Sequence, residues 1–244
     1  MMPQPVCAIV GTGEGLGRAL AAKFAGEGFD IALISRTEKG SSAAAEAVAR
    51  ANAEANVRFF AADATQSETV EQALVAVAGD MGDVDVLIYN ARSSFAPCDP
   101  LDMTYAALED VYRLEVVGAF AAAKAVLPAM RERGRGTVLF SSATAALRGS
   151  ATHPLYSIGK FGLRALSQSL AKAYSKDGVH VVHVRLDCDL DVPLMRKHYG
   201  ADFDPEHAAN TDDVAATYWW AHQQPRSAWS NEIELRPYTE TWTC

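Results

Sequence analysis

Two side chains in one helical stretch, a phenol and an amine, have the types and the spacing needed to transfer a proton. Tyr156 and Lys160 lie four residues apart, and residues at i and i+4 share one face of a helix. An ammonium group stabilises a nearby phenolate, which a free tyrosine with a pKa of about 10 rarely forms at neutral pH. The pair therefore indicates acid–base chemistry, provided that the fold brings a reacting group to it.

A glycine-rich turn near the N-terminus has the pattern that cradles a dinucleotide pyrophosphate. Glycines allow a sharp turn and a close approach of backbone to phosphate, and the first amides of the following helix attract the anion. A glycine cluster alone is weak evidence for such a site, but its position between a strand and a helix predicts nucleotide binding. The turn contains Gly11, Gly13, Gly15, Leu16 and Gly17.

The end of the second predicted strand indicates which dinucleotide is bound. A site for NAD(H) usually has Asp or Glu there, to bind the ribose 2′-hydroxyl. Ser35 and Arg36 occupy that place, and a guanidinium grips a 2′-phosphate that a carboxylate would repel. We therefore expect NADP(H) rather than NAD(H), the alternative being that Arg36 is a solvated surface residue. Asp63, after the third strand, either accepts a hydrogen bond from the adenine amino group or caps the next helix.

Short apolar runs alternate with longer alanine-rich stretches, a pattern that predicts buried strands and intervening helices. This alternation implies right-handed crossovers and a parallel sheet. We expect a single-domain α/β Rossmann fold over 1–244, a doubly wound parallel sheet with helices on both faces. The looser segment 187–211 is either a substrate loop or a plain surface excursion. The predicted strands are Val6–Val10, Ile31–Ser35, Val57–Ala61, Val84–Asn90, Gly136–Ser141, Val179–Leu186 and Glu232–Leu235, and the predicted helices are Leu16–Glu27, Glu38–Ala55, Glu68–Met81, Thr104–Arg133, Leu155–Lys176 and Asp212–His222.

The composition limits the partners and the compartment. A net charge of -8 disfavours nucleic acid, and no apolar run is long enough for a signal peptide or a membrane span. We expect a cytoplasmic protein without a membrane or nucleic-acid partner. The four cysteines are far apart and form no CxxC, which suggests reduced thiols and no metal site. They are Cys7, Cys98, Cys188 and Cys244.

Together these motifs make the sequence resemble the short-chain dehydrogenase/reductase family along nearly its whole length. The resemblance implies a sheet of order 3-2-1-4-5-6-7, a tyrosine acid/base and a lysine that holds the nicotinamide ribose. It also implies cofactor contacts from Ser35, Ala64, Asn90 and Ala91, and homodimers or homotetramers that pair through the helices at 104–133 and 155–176. The matching elements are Gly11-x-x-x-Gly15-x-Gly17, Arg36, Asp63, Asn90-Ala91, Ser141-Ser142 and Tyr156-x-x-x-Lys160.

The chain departs from this family mainly near the nicotinamide end of the site. Glu115 stands three residues before Gly118, where the family has a catalytic Asn. A carboxylate there either pairs with Lys160 and relays protons, or weakens the field of Lys160 at Tyr156. Arg92 replaces a glycine in the loop after the fourth strand and brings a cation close to the cofactor.

The position of the catalytic serine is also displaced. The family places it thirteen residues before the tyrosine, which in this chain is Ala143. A one-residue insertion before Gly149 would restore Ser142 as the donor to a substrate carbonyl, and Thr144 is the alternative. We expect Ser142. After the sixth strand, Asp187 replaces the glycine of a Pro-Gly pair.

Three functions are compatible with these residues. The first is an NADP(H)-dependent oxidoreductase that interconverts a carbonyl and an alcohol, with Tyr156 as acid/base, Ser142 orienting the oxygen, and Glu115 with water replacing the Asn relay. The second is a catalytically weak or inactive NADP(H)-binding sensor or partner protein on the same fold. The third is a lyase or dehalogenase, against which Lys160 argues, since the dehalogenase relatives tend to have Arg there.

Overall fold

The apolar runs form one parallel sheet in the computed structural model, which describes residues 4–241. Seven strands lie in the order β3-β2-β1-β4-β5-β6-β9, and every neighbouring pair is parallel. Two further strands of two residues each, β7 and β8, pair with one another outside this sheet. The strands are β1 Val6–Val10, β2 Asp30–Ser35, β3 Val57–Ala61, β4 Val84–Tyr89, β5 Gly136–Ala143, β6 Val179–Leu186, β7 Asp189–Leu190, β8 Ala208–Ala209 and β9 Glu232–Leu235.

Helices cover both faces of the sheet, as the predicted fold requires. The helices α3, α5 and α6 pack on one face, and α1, α2 and α8 pack on the other. Side chains alternate between the faces along each strand: Val138 and Phe140 of β5 join the first core, and Leu139 joins the second. The helices are α1 Leu16–Gly26, α2 Glu38–Ala51, α3 Ser67–Met81, α4 Tyr105–Tyr112, α5 Gly118–Glu132, α6 Pro154–Tyr174, α7 Pro193–Tyr199 and α8 Thr211–His222.

This arrangement confirms the predicted fold class and strand order, with β9 as the seventh strand of the sheet. The strand order reverses between β1 and β4, since β1 lies between β2 and β4. Ligands of open α/β sheets bind at such a reversal, outside the carboxyl ends of the strands. The fold therefore places the glycine turn after β1 at the expected ligand crevice.

The predicted helix Thr104–Arg133 is interrupted in the structure. A π-helical turn at Arg113–Val117 separates α4 from α5. Inside this turn, the carbonyl of Leu114 accepts a hydrogen bond from the phenol of Tyr89, 2.5 Å away. The Tyr89 phenol thus provides a hydrogen-bond donor for a backbone carbonyl in a turn that departs from the regular α-helical hydrogen-bond pattern.

The features of the chain that concern membrane spans, metal ligands and disulfides are described for residues 4–241. No helix within residues 4–241 is both long enough and apolar enough to cross a bilayer. Within the same residues, no three His, Cys, Asp or Glu side chains cluster as metal ligands. Cys7, Cys98 and Cys188 have free thiols, and Cys244 lies outside the described residues.

Candidate active site

The turn after β1 has a geometry that only glycine can adopt at its first position. Gly11 has a φ of +92°, and a Cβ atom there would lie 2.4 Å from the backbone nitrogen of Ala91. Asn90 fixes the turn, because its Nδ2 donates a hydrogen bond to the Gly11 carbonyl over 2.9 Å. The loops after β1 and β4 are therefore in direct contact at the strand-order reversal.

The start of α1 fits a bound phosphate group. A Cβ atom at Gly17 would lie 2.9 Å from the Gly11 carbonyl oxygen, so the helix meets the turn closely. Gly13 faces open space. No side chain caps the N-terminus of α1 at Gly15, and its first turn carries no acidic residue. The first amides are thus left for an anion, as in a pyrophosphate site.

Behind this turn, a chain of hydroxyl groups holds Ser35. The Ser41 hydroxyl lies 2.6 Å from that of Thr12 and 2.7 Å from that of Ser35. Ser35 also donates to the carbonyl of Thr37. Ser35 thus connects the end of β2 to the glycine turn, while Arg36 beside it is exposed to solvent.

Asp63 stabilises the turn that follows β3. Its Oδ1 accepts hydrogen bonds from the backbone nitrogen and the hydroxyl of Thr65, at 2.9 and 2.8 Å. The Thr65 backbone bond, opposed by partial desolvation and helped by the Thr65 hydroxyl and Arg36, lowers the pKa of Asp63. The next residue, Ala64, packs on the first turn of α5, where a Cβ atom at Gly118 would meet the Ala64 carbonyl. Contacts of Asp63 and Ala64 with a nucleotide remain predictions.

The predicted acid–base pair lies on the first turns of α6. The helix begins at Pro154, which suits a first helical position. Lys160 is buried and Tyr156 is half-buried, and the Lys160 Nζ lies 5.5 Å from the centre of the Tyr156 ring. One turn of helix thus brings the ammonium group to the phenol, as the spacing predicted.

Lys160 is fixed by two acceptors. Its Nζ lies 2.9 Å from Glu115 Oε2 and donates to the carbonyl of Ser141 over 3.2 Å. Burial by itself would lower the pKa of Lys160, and the exposed Arg92 acts in the same direction. The Glu115 carboxylate, followed by Tyr156, outweighs these effects, so the pKa is raised and the amine stays an ammonium.

Glu115 belongs to the π-helical turn and is completely buried. Its Oε1 accepts hydrogen bonds from both the backbone nitrogen and the hydroxyl of Ser93, each 2.7 Å long. Sequence reasoning singled out Glu115 but missed Ser93. The loop that carries Ser93 was nevertheless marked as unusual in the sequence, because Arg92 stands where the family has a glycine. Arg92 nevertheless has an ordinary backbone, since no non-glycine residue among those described has a positive φ.

The two candidate hydroxyls differ in their surroundings. Thr144 donates a hydrogen bond to Asp187, and the other oxygen of Asp187 forms an ion pair with Arg236 over 2.6 Å. Ser142 is buried, and its Oγ has no hydrogen-bond partner within residues 4–241. The Ser142 hydroxyl is therefore the one that can donate to a ligand. No sequence motif had indicated Arg236, which follows β9.

Aromatic rings stand beside Tyr156. The ring of Phe95 stacks on His153, with centroids 3.9 Å apart and planes 4° apart. Phe95 also meets the Tyr156 ring edge-on at 5.1 Å, and 57% of Phe95 is exposed. A backbone hydrogen bond from Cys98 to the Thr152 carbonyl joins the two loops that carry these rings. No sequence motif singled out the side chains of Phe95 and His153 individually.

The segment 187–211 forms α7 and the small β7–β8 pair. It lies against the glycine turn, since a Cβ atom at Gly15 would be 3.1 Å from Val192. Asp191 binds Arg196 through two hydrogen bonds of 2.5 and 2.7 Å. Asp189 accepts a hydrogen bond from Tyr199. The carboxylates of Asp189 and Asp191 are thus both engaged by side chains of the segment itself.

The fold and these side chains together define a class of protein. Residues 5–188 match the family model described as short chain dehydrogenase, and the chain therefore belongs to the short-chain dehydrogenase/reductase family of oxidoreductases. The membership expected from the motifs is confirmed.

Individual relatives fit this assignment. The chain is 30% identical to 2-(S)-hydroxypropyl-CoM dehydrogenase 3 of Xanthobacter autotrophicus, over 82% of this chain and 78% of that protein. It is 29% identical to levodione reductase of Leifsonia aquatica, over 72% of this chain and 66% of that protein. Among solved structures, a short-chain dehydrogenase from Rhodopseudomonas palustris superposes with a TM-score of 0.80 at 29% identity, covering 96% of this chain and 99% of its own.

Proposed function

We propose that this protein is an NADP(H)-dependent oxidoreductase that interconverts a carbonyl and an alcohol. The observation that carries the proposal is the position of the Lys160 ammonium, which lies 5.5 Å from the centre of the half-buried Tyr156 ring and donates to the carbonyl of Ser141 near the carboxyl end of β5. The next residue of that strand, Ser142, has a buried hydroxyl without a hydrogen-bond partner among the described residues. Acid, electrostatic support and a donor to the substrate oxygen are the parts that such a reaction requires.

Each side chain has a separate task in this mechanism. When bound, NADPH would supply the hydride. Tyr156 gives a proton to the carbonyl oxygen, and Ser142 orients that oxygen with a hydrogen bond. An ammonium has three donors, of which Lys160 directs two at Glu115 and Ser141. The third is left for a ribose hydroxyl.

The preference for NADP(H) is supported by the end of β2. Arg36 is exposed there, and the neighbouring Ser35 has no charge that would repel a 2′-phosphate. The glycine turn and the uncapped start of α1 provide the pyrophosphate site. In this proposal Leu16, Asn90 and Ala91 line the nucleotide, and Asp63 with Ala64 lies at its adenine end.

A small carbonyl or alcohol would enter beside the aromatic rings. Phe95 offers an exposed apolar surface next to Tyr156, and the segment 187–211 would close over the substrate as a loop. An apolar group on the substrate would bury part of Phe95, which favours binding by about 25 cal/mol per Å² of apolar surface.

A direct test uses purified protein, NADPH and a panel of aldehydes and ketones. We expect NADPH to be consumed by at least one of them, and Tyr156→Phe to reduce kcat by two to four orders of magnitude, as for loss of a general acid. Tyr174→Phe, at the far end of the same helix, is the matched control. Turnover that is unchanged in Tyr156→Phe would refute the mechanism.

A second candidate is an NADP(H)-binding sensor with little catalysis. It is favoured by the ion pair between Lys160 and Glu115, where family members have Asn, and by Asp187, which engages Thr144 and Arg236. This candidate predicts tight NADPH binding, a change in protease sensitivity on binding, and no turnover with any carbonyl.

A further inference from the structure

The carboxylate of Glu115 lies buried behind the ammonium group of Lys160. Glu115 is fully buried, and burial of a carboxylate is costly unless charge and hydrogen bonds compensate it. Three contacts do so here: the Lys160 ammonium at 2.9 Å and two hydrogen bonds from Ser93 at 2.7 Å. The fold therefore compensates the burial of the Glu115 carboxylate with one opposite charge and two hydrogen bonds.

The helices are shaped to allow this pairing. Gly159 on α6 faces the π-helical turn, and a Cβ atom there would lie 2.8 Å from Glu115 Cγ. The missing side chain at Gly159 lets the Glu115 stem pass close to α6 and reach Lys160, the next residue along. A larger residue at this position would push the carboxylate away from the ammonium.

We propose that Glu115 cancels the charge of Lys160 and thereby allows the site to hold the oxidised nucleotide about as well as the reduced one. The inference rests on the proposed function. The oxidised nicotinamide ring carries a positive charge and the reduced ring carries none. An unpaired Lys160 near the ring would repel only the oxidised form, whereas the Lys160–Glu115 pair has no net charge.

The size of the effect follows from Coulomb's law in a partly buried site. At an effective dielectric constant of about 20 and a separation of about 8–10 Å, removing one charge changes the balance between the two forms by about twentyfold. The pair is shielded from solvent ions because both partners are buried, so added salt should weaken the effect little.

The experiment measures the dissociation constants of NADPH, by its own fluorescence, and of NADP⁺, by displacement of NADPH. In Glu115→Gln, which keeps the size and the acceptor oxygen but loses the charge, we expect the binding of NADP⁺ to weaken about twentyfold more than that of NADPH. Glu115→Asp, which keeps the charge, should retain the wild-type ratio. Ser93→Ala, which removes a hydrogen bond but no charge, should also retain it.

The possible outcomes separate this inference from the proposed function. A ratio that is the same in Glu115→Gln and in wild type overturns the inference and leaves the oxidoreductase proposal intact. Equal loss of both nucleotides in Glu115→Gln also overturns it, because the carboxylate would then act only as a structural support. If wild-type protein binds neither nucleotide, the proposed function itself fails.

Discussion

The phenol of Tyr89, at the end of β4, donates a 2.5 Å hydrogen bond to the carbonyl of Leu114 in the π-helical turn. Burial, with further contributions from Glu115 and Asp63, raises the pKa of Tyr89 far above its usual value, so the group remains a donor. This bond connects the central sheet to the turn that carries Glu115.

Tyr89→Phe should therefore destabilise the fold and disturb the site. The change leaves a carbonyl without its donor, which costs about 1–3 kcal/mol. Urea unfolding measures the loss, with Tyr112→Phe on the neighbouring α4 surface as a control, because Tyr112 is 48% exposed. Equal stability of the two variants would mean that the bond contributes nothing to the turn.

Replacement of the two candidate hydroxyls should separate chemistry from structure. Ser142→Ala removes the unpartnered donor and should lower kcat with the best carbonyl by about two orders of magnitude. Thr144→Val removes the hydrogen bond to Asp187 and should lower the melting temperature by a few degrees while most activity remains. Steady-state kinetics and thermal unfolding of both variants provide the check. The reverse pattern would assign the catalytic hydroxyl to Thr144.

Cofactor preference should depend on Arg36. Arg36→Ala should weaken NADPH binding by about ten- to a hundredfold, as expected for a lost charge-assisted contact, and leave NADH binding unchanged. Arg50→Ala, which removes an exposed cation at the other end of α2, is the matched control. Fluorescence titration with both nucleotides measures the effect, and a parallel loss for NADH would exclude a role in recognising the 2′-phosphate.

Self-association should use the apolar surface of α4, α5 and α6. Tyr112, Phe120, Ile158 and Phe161 are each between 38% and 48% exposed, and clustered exposed apolar groups are typical of interfaces. We expect a homodimer or homotetramer that Phe161→Glu disrupts, as measured by sedimentation. Val75→Glu, on α3 and 67% exposed, should leave the assembly intact. A wild-type monomer at high concentration would contradict the prediction.

Acid should destabilise the protein through His183. The imidazole is buried in β6, and burial is the main reason that its pKa falls from 6.5 to about 4. Between these two values the unfolded chain binds the proton and the folded chain does not, so stability falls as the pH drops from 6.5 towards 4, by up to about 3 kcal/mol. In His183→Leu the pH dependence of urea unfolding should be correspondingly smaller, whereas replacement of the exposed His198 by Gln should not change it.

The sequence predicted the sheet and the glycine turn because both follow from local patterns. Each strand is a short run of apolar residues, and the glycines stand where the backbone must turn, as at Gly11. The interruption of the long helix was not predictable in this way, because a π-helical turn leaves no mark in a hydrophobic period. Its carbonyl is satisfied by Tyr89, which is distant in sequence.

The sequence predicted only those residues of the candidate site that belong to a motif. Tyr156 and Lys160 meet because one helical turn separates them, whereas Ser93 and Arg236 enter the site through tertiary packing that spacing does not reveal. In the sequence, a one-residue insertion supposed before Gly149 favoured Ser142 and left Thr144 as the alternative. The structure distinguishes them by their neighbours, since Asp187 occupies the hydroxyl of Thr144 alone.

Asp187 has a consequence for any attempt to exchange the segment 187–211 between relatives. It joins the ends of three neighbouring strands, because Thr144 follows β5, Asp187 follows β6 and Arg236 follows β9. Consider a chimera that imports the whole segment 187–211 from a relative with glycine at position 187. In this chimera Arg236 would lose one carboxylate partner, and Thr144 would lose its hydrogen-bond acceptor. A chimera will therefore work best when the residues at all three positions come from the same parent protein.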